Sequence, residues 1–122
     1  MGAKMTTSLN DRMREIKFRG KTVNGQWVIG GYTKRGGKHY IIRDIDEPAI
    51  PVIPETIGQF TGLKDKNGKE IFEGDKVTAD DEIYDVIFNE RFGAFELRYT
   101  GNTVAFYLRR DIEIIGNIHE NK

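Results

Sequence analysis

Cysteine is absent from the 122 residues, serine and tryptophan each occur once, and the three prolines all fall between positions 48 and 54. Without cysteine there is no disulfide, no thiolate zinc site and no thiol nucleophile. Ser8 sits in a polar, aperiodic opening stretch. His39 and His119, the two histidines, have no nucleophile motif beside them, so an acyl-transfer triad is excluded. No apolar run approaches the roughly 20 residues that span a bilayer. Met1 to Asp11 lacks the apolar stretch of a secretory signal. The expectation is a cytoplasmic chain with no membrane contact and no cofactor. The net charge of zero is not the broad basic excess of a dedicated nucleic-acid binder.

That zero conceals a polarity. Residues 1–43 carry 10 Lys/Arg against 2 Asp/Glu, and residues 44–122 carry 9 against 17, so +8 faces −8. Such a division either solvates two surfaces or lets a basic face meet an anion or the acidic face of a neighbouring copy. With 38% hydrophobic and 31% charged residues the chain is globular. Its length suits one compact domain or two small subdomains, each near the lower size limit for a self-sufficient core.

Three segments are expected: a disordered tail over 1–12, a β subdomain with its linker over 13–53, and a small barrel over 54–122. Ile16 and Phe18 alternate with charged residues, as on one face of a strand. Asn24-Gly25 signals a turn into a strand from Gln26 to Lys34, with Trp27 and Ile29 on one side and Val28 and Tyr32 on the other. Gly30-Gly31 marks a bulge or a close backbone approach. Lys34, Arg35 and Lys38 form a basic hairpin tip, and His39–Ile42 returns. The prolines make Arg43–Pro54 an irregular crossover. Beyond it, Ile57–Leu63 reads as a strand, Asn67-Gly68 as a type I′ turn, and Glu70–Asp75 as a tight non-regular turn with Gly74 left-handed. Short strands follow at about ten-residue spacing. Tyr84, Val86 and Phe88 share one face, as do Phe95, Leu97 and Tyr99, then Val104, Phe106 and Leu108, and Ile112–Gly116 closes the series. The expected fold is mostly β, an N-terminal β-hairpin subdomain followed by an SH3-like barrel.

Several chemical patterns fail on their spacing. Gly31 to Lys38 approaches a phosphate-binding loop, but Gly37 holds the position of its lysine and strands flank it. Asp65 to Glu70 approaches a calcium loop, but its glycine comes two residues early. Asp80-Asp81-Glu82 reads as an acidic turn. Trp27 is either core, for the area it buries, or a stacking platform for a base beside Tyr32, Tyr40 and the basic tip. The candidate binding residues are therefore Arg19, Lys21, Trp27, Lys34, Arg35 and Lys38.

Met13-Arg-Glu-Ile-Lys-Phe-Arg19, Gln26-Trp-Val28 with Gly30, Pro54 to Asp75, and Ile114 to Asn121 together resemble YopX-like phage and prophage proteins. Members more often have Ala-Trp where this chain has Gly20-Lys21. The resemblance implies a mostly-β fold with an SH3-like C-terminal part, in a bacterial host cell, and it brings no catalytic residues. The expected role is that of a non-enzymatic accessory protein that self-associates or binds a host or phage protein. A nucleic-acid-binding module using the basic N-terminal part is the alternative.

Overall fold

The computed structural model describes residues 15–100, 102–106 and 111–120, and the expected tail over 1–12 lies outside them. Eleven strands and no α-helix are present among the described residues. They are β1 (Phe18–Lys21), β2 (Trp27–Arg35), β3 (Lys38–Ile42), β4 (Ile50–Pro51), β5 (Ile53–Lys64), β6 (Glu70–Phe72), β7 (Asp75–Ala79), β8 (Glu82–Asn89), β9 (Ala94–Tyr99), β10 (Asn102–Ala105) and β11 (Glu113–Asn117). The first sheet runs β4-β3-β2-β1-β5-β6 and the second β10-β9-β8-β7-β11, with every pairing antiparallel.

The fold is thus mostly β in two antiparallel sheets. The second sheet is not closed: β10 and β11 are its two edges. The sheets divide at the β6–β7 turn rather than at Pro54, because β5 joins the first sheet beside β1. Proline did not keep β5 out of the sheet. Arg19 pairs with Gly58 but Lys21 pairs with Ile53, so Pro54 falls in a bulge where its missing N–H breaks no ladder bond. Pro51 lies on β4, the sheet edge, where proline is tolerated.

Each sheet has its own core. Val28, Ile41 and Val52 form the first, flanked by Phe18, Ile50 and Ile57. Gly30 lets the backbone of β2 pass against the carbonyl of Ile42, where a Cβ would collide. The second core collects Val77, Ala79, Tyr84, Val86, Leu97, Phe106 and Ile112, and also Ile71 from β6. The segment expected to be a bare turn thus supplies one of the most deeply buried side chains. The alternation holds best at mid-strand. Val86 and Leu97 are buried, but Phe88 and Tyr99, at or near the strand ends, are exposed, as is Ile16. Gly101 and Leu108 lie outside the described residues.

Two turns exchange the chemistry expected of them. Gly68 donates to the Asp65 carbonyl at 3.0 Å and Asp65 N to the Lys69 carbonyl at 2.7 Å. Gly68 alone has positive φ, +85°, and Asn67 does not, so this is a three-residue loop ending in a left-handed glycine rather than a type I′ turn. The Asp65 carboxylate decides it by accepting from Asn67 N and Lys69 N, both at 2.9 Å. The two-residue turn with both central φ positive is instead Asp80-Asp81, at 54° and 68°, between the paired Ala79 and Glu82. Aspartate tolerates the left-handed region better than most side chains.

Candidate functional site

The seam between the sheets is built from the face of β1 turned away from the first core. Phe18 packs against the first core, and a Cβ on Gly20 would meet Val52 at 2.9 Å. Lys17, Arg19 and Lys21 therefore share the opposite face. Arg19 Nη2 lies 2.8 Å from Asp75 Oδ1, while Asp75 Oδ2 accepts from Phe72 N at 2.8 Å. Asp75 is buried, with 2% of its surface exposed. The Arg19 contact is an ion pair without hydrogen-bond alignment, and its buried Nε and Nη2 lack hydrogen-bond partners. Aromatic faces stand in for them: the guanidinium lies 4.7 Å from the Trp27 ring centroid and 5.0 Å from that of Phe72.

His119 completes the cluster, its ring 6.2 Å from that of Trp27. It sits against Gly74, which has φ of +96°, and a Cβ there would stand a tight 3.3 Å from His119 Nε2. Gly74 is also the backbone clasp of the seam. Its N–H donates to Val86 O and its carbonyl accepts from Ile118 N, each at 2.8 Å. Burial pushes the Asp75 carboxyl above its ordinary value, against the opposing pull of Arg19 and Phe72 N–H. Burial, then the charges of Arg19 and Lys21, hold the His119 imidazole below its own.

The six sequence candidates thus fall in two places. Arg19, Lys21 and Trp27 meet at the seam, where Trp27 is half-buried, neither core nor an open platform. Lys34, Arg35 and Lys38 are exposed at the far end of the β2–β3 hairpin, where Arg35 pairs with Lys38. Seven residues of strand separate Trp27 from Lys34, roughly 23 Å at the rise of an extended chain. Tyr32 and His39 lie between, stacked at 5.7 Å and sharing a 2.6 Å hydrogen bond.

Sequence reasoning missed an apolar cleft of about 240 Å³ lined by Leu63, Phe88, Phe95 and Phe106, with Thr61, Gly93 and Ala94. It lies between the end of β5 and the β8–β9 hairpin, whose loop carries Phe92 with 72% of its surface exposed. The signal was the run Phe88, Phe92, Phe95: aromatics on both sides of one tight turn, more than a solvated hairpin needs. The acidic residue of the rejected calcium loop has a structural task. Asp65 also accepts from Ile114 N at 3.1 Å, so three backbone N–H groups fill its carboxylate.

The chain belongs to the YopX protein family, whose model matches residues 6–122. No curated protein matches it. Among the described residues no helix is long and apolar enough to cross a membrane.

Proposed function

We propose that this YopX-family chain is a phage or prophage accessory protein that works by binding, not catalysis, and that it pairs with a second copy of itself through the apolar cleft. One observation carries the reading: the exposed Phe92 and the apolar cleft beside it belong to one hairpin surface. A two-fold interface uses the same patch on both subunits, so a knob next to a hole is self-complementary. The neighbouring Glu90 and Arg91 are exposed and of opposite sign, so each copy's Glu90 can meet the other's Arg91. On the same sheet Asp85 bridges Lys76 at 2.9 Å and Arg98 at 3.7 Å across three strands. The strand order of that sheet, a meander whose last strand returns beside its first, supports reading it as a half-open SH3-like barrel.

Light scattering after size exclusion tests the pairing. The expected result is a dimer that Phe92→Asp converts to a folded monomer. Burial holds this interface, so the dimer should survive 1 M salt, where the Debye length shrinks to about 3 Å. A wild-type monomer at every salt concentration would refute it. The nucleic-acid alternative has less support, since its six candidate residues divide between two sites and Arg19 is engaged by Asp75.

A further inference from the structure

A second cavity, of about 310 Å³, opens where the loop between β1 and β2 meets the C-terminal segment, and its lining is more polar than that of the apolar cleft. Among the described residues, Lys21, Thr22, Asn24, Thr56 and His119 line it together with Val23 and Ile53, and no carboxylate does. Two of its polar groups are already engaged. Thr56 Oγ1 accepts from Lys21 N at 2.8 Å and donates to the Ile53 carbonyl at 2.6 Å. The N–H groups of Gly25 and Gln26 both go to Thr22, the first to its carbonyl and the second to its Oγ1. Because Thr22 Oγ1 is an acceptor there, its proton remains for another partner. The Lys21 stem runs along the loop, its Cε within 3.9 Å of where a Gly25 Cβ would stand, and its ammonium lies 5.8 Å from the Trp27 centroid. Asn24 is exposed at the rim.

The donors left over are thus an ammonium, a hydroxyl, an amide NH₂ and a ring N–H, with Arg19 adding positive charge behind His119. We infer that this cavity binds the oxyanion of a small molecule, a phosphate or a carboxylate, with Lys21 and His119 as its charged or hydrogen-bonding contacts and Thr22 and Asn24 as neutral donors. A lysine ammonium beside neutral groups that can each donate suits an acceptor-only ligand, and charge-assisted hydrogen bonds are the strong ones. His119 also lines a smaller cleft, of about 130 Å³, that contains Glu55 and Glu73. Its ring therefore stands between Lys21 on the cavity side and these two carboxylates on the other, with the charge of Arg19 also near it. A bound anion on the cavity side should raise the imidazole pKa, which burial and the two cations now hold down.

The inference is independent of self-association. Its test is an NMR titration of the full chain with inorganic phosphate and, separately, with acetate, chloride being exchanged to hold ionic strength constant. The expected result is saturable shifts at Lys21, Asn24 and His119 with at least one anion, and an upward-moved His119 titration. Lys21→Gln and Asn24→Asp should each weaken binding by about ten- to a hundredfold, the scale of a charged hydrogen bond. Lys34→Gln, at the distant hairpin tip, should leave it unchanged. Asn24→Asp changes one exposed side chain, so it remains informative if Lys21→Gln disturbs the fold. Absence of saturation with both anions would overturn the assignment, as would equal weakening by Lys34→Gln and Lys21→Gln.

Discussion

Arg19 on β1 and Asp75 on β7 meet at 2.8 Å, and theirs is a buried ion pair that joins the first sheet to the second. Its setting is unusual, because the cation is packed between the rings of Trp27 and Phe72 while the anion takes a backbone N–H. Desolvating both charges costs free energy that their attraction only partly returns.

Replacing both partners should therefore cost less than the sum of replacing each alone. Arg19→Met leaves the buried carboxylate without its cation and should cost on the order of 3 kcal/mol in urea unfolding. Asp75→Asn keeps an oxygen for Phe72 N–H and replaces a carboxyl whose ionised form burial already disfavours, so it should be the milder of the two. The double variant should be less destabilised than the two losses added, by about 1 kcal/mol or more. Strict additivity would mean that the two side chains are adjacent without being coupled.

Asp65 and Asp75 should titrate in opposite directions from the ordinary carboxylate. Burial raises Asp65, but the N–H groups of Ile114, Lys69 and Asn67 outweigh it, and the net shift is downward. A lowered folded pKa is stability present above the unfolded value and lost as pH falls through the folded one. Asp65→Asn should therefore cost more at pH 7 than at pH 3. Asp75 is shifted up, so its contribution to stability declines as pH rises from the unfolded value through the folded one. Carboxyl carbon shifts followed by NMR should show the Asp65 midpoint below that of Asp75. The reverse order would contradict the hydrogen bonding described for the 65–69 loop.

The two hairpin turns give a matched pair of substitutions. Gly68 has φ of +85° and nothing within 4 Å of where a Cβ would stand, so Gly68→Val strains only the backbone. It should cost about 1–2 kcal/mol. Asp81, at φ 68°, already bears that strain, and Asp81→Gly should recover up to about 1 kcal/mol. Denaturant midpoints that fail to move in opposite directions would show that these turns relax around the change.

Local pattern by itself determined that this chain is made of short antiparallel strands. Period-two alternation at Val86 and Leu97 and the left-handed Gly74 were legible from their own segments, and the Gly30 close approach from a glycine pair inside a strand that a short hairpin folds back on itself. The family was legible too, from the stretch between Pro54 and Asp75 above all. What needed the tertiary structure was every feature made by residues far apart in sequence. Ile71 looked like turn because its burial comes from strands β7 to β9 and from Ile112, not from its own segment. Asn67-Gly68 carries the composition of a type I′ turn, yet the Asp65 carboxylate, held also by Ile114 N, selects another loop. The candidate site divided for the same reason. Arg19, Lys21 and Trp27 were grouped with the hairpin tip by charge and proximity in the chain. An extended strand carries Lys34 away from them, while Asp75 and His119 come from the other half of the molecule to the seam. Composition counts charges, but only the pairing of β1 with β5, and of β7 with β11, determines which of them meet.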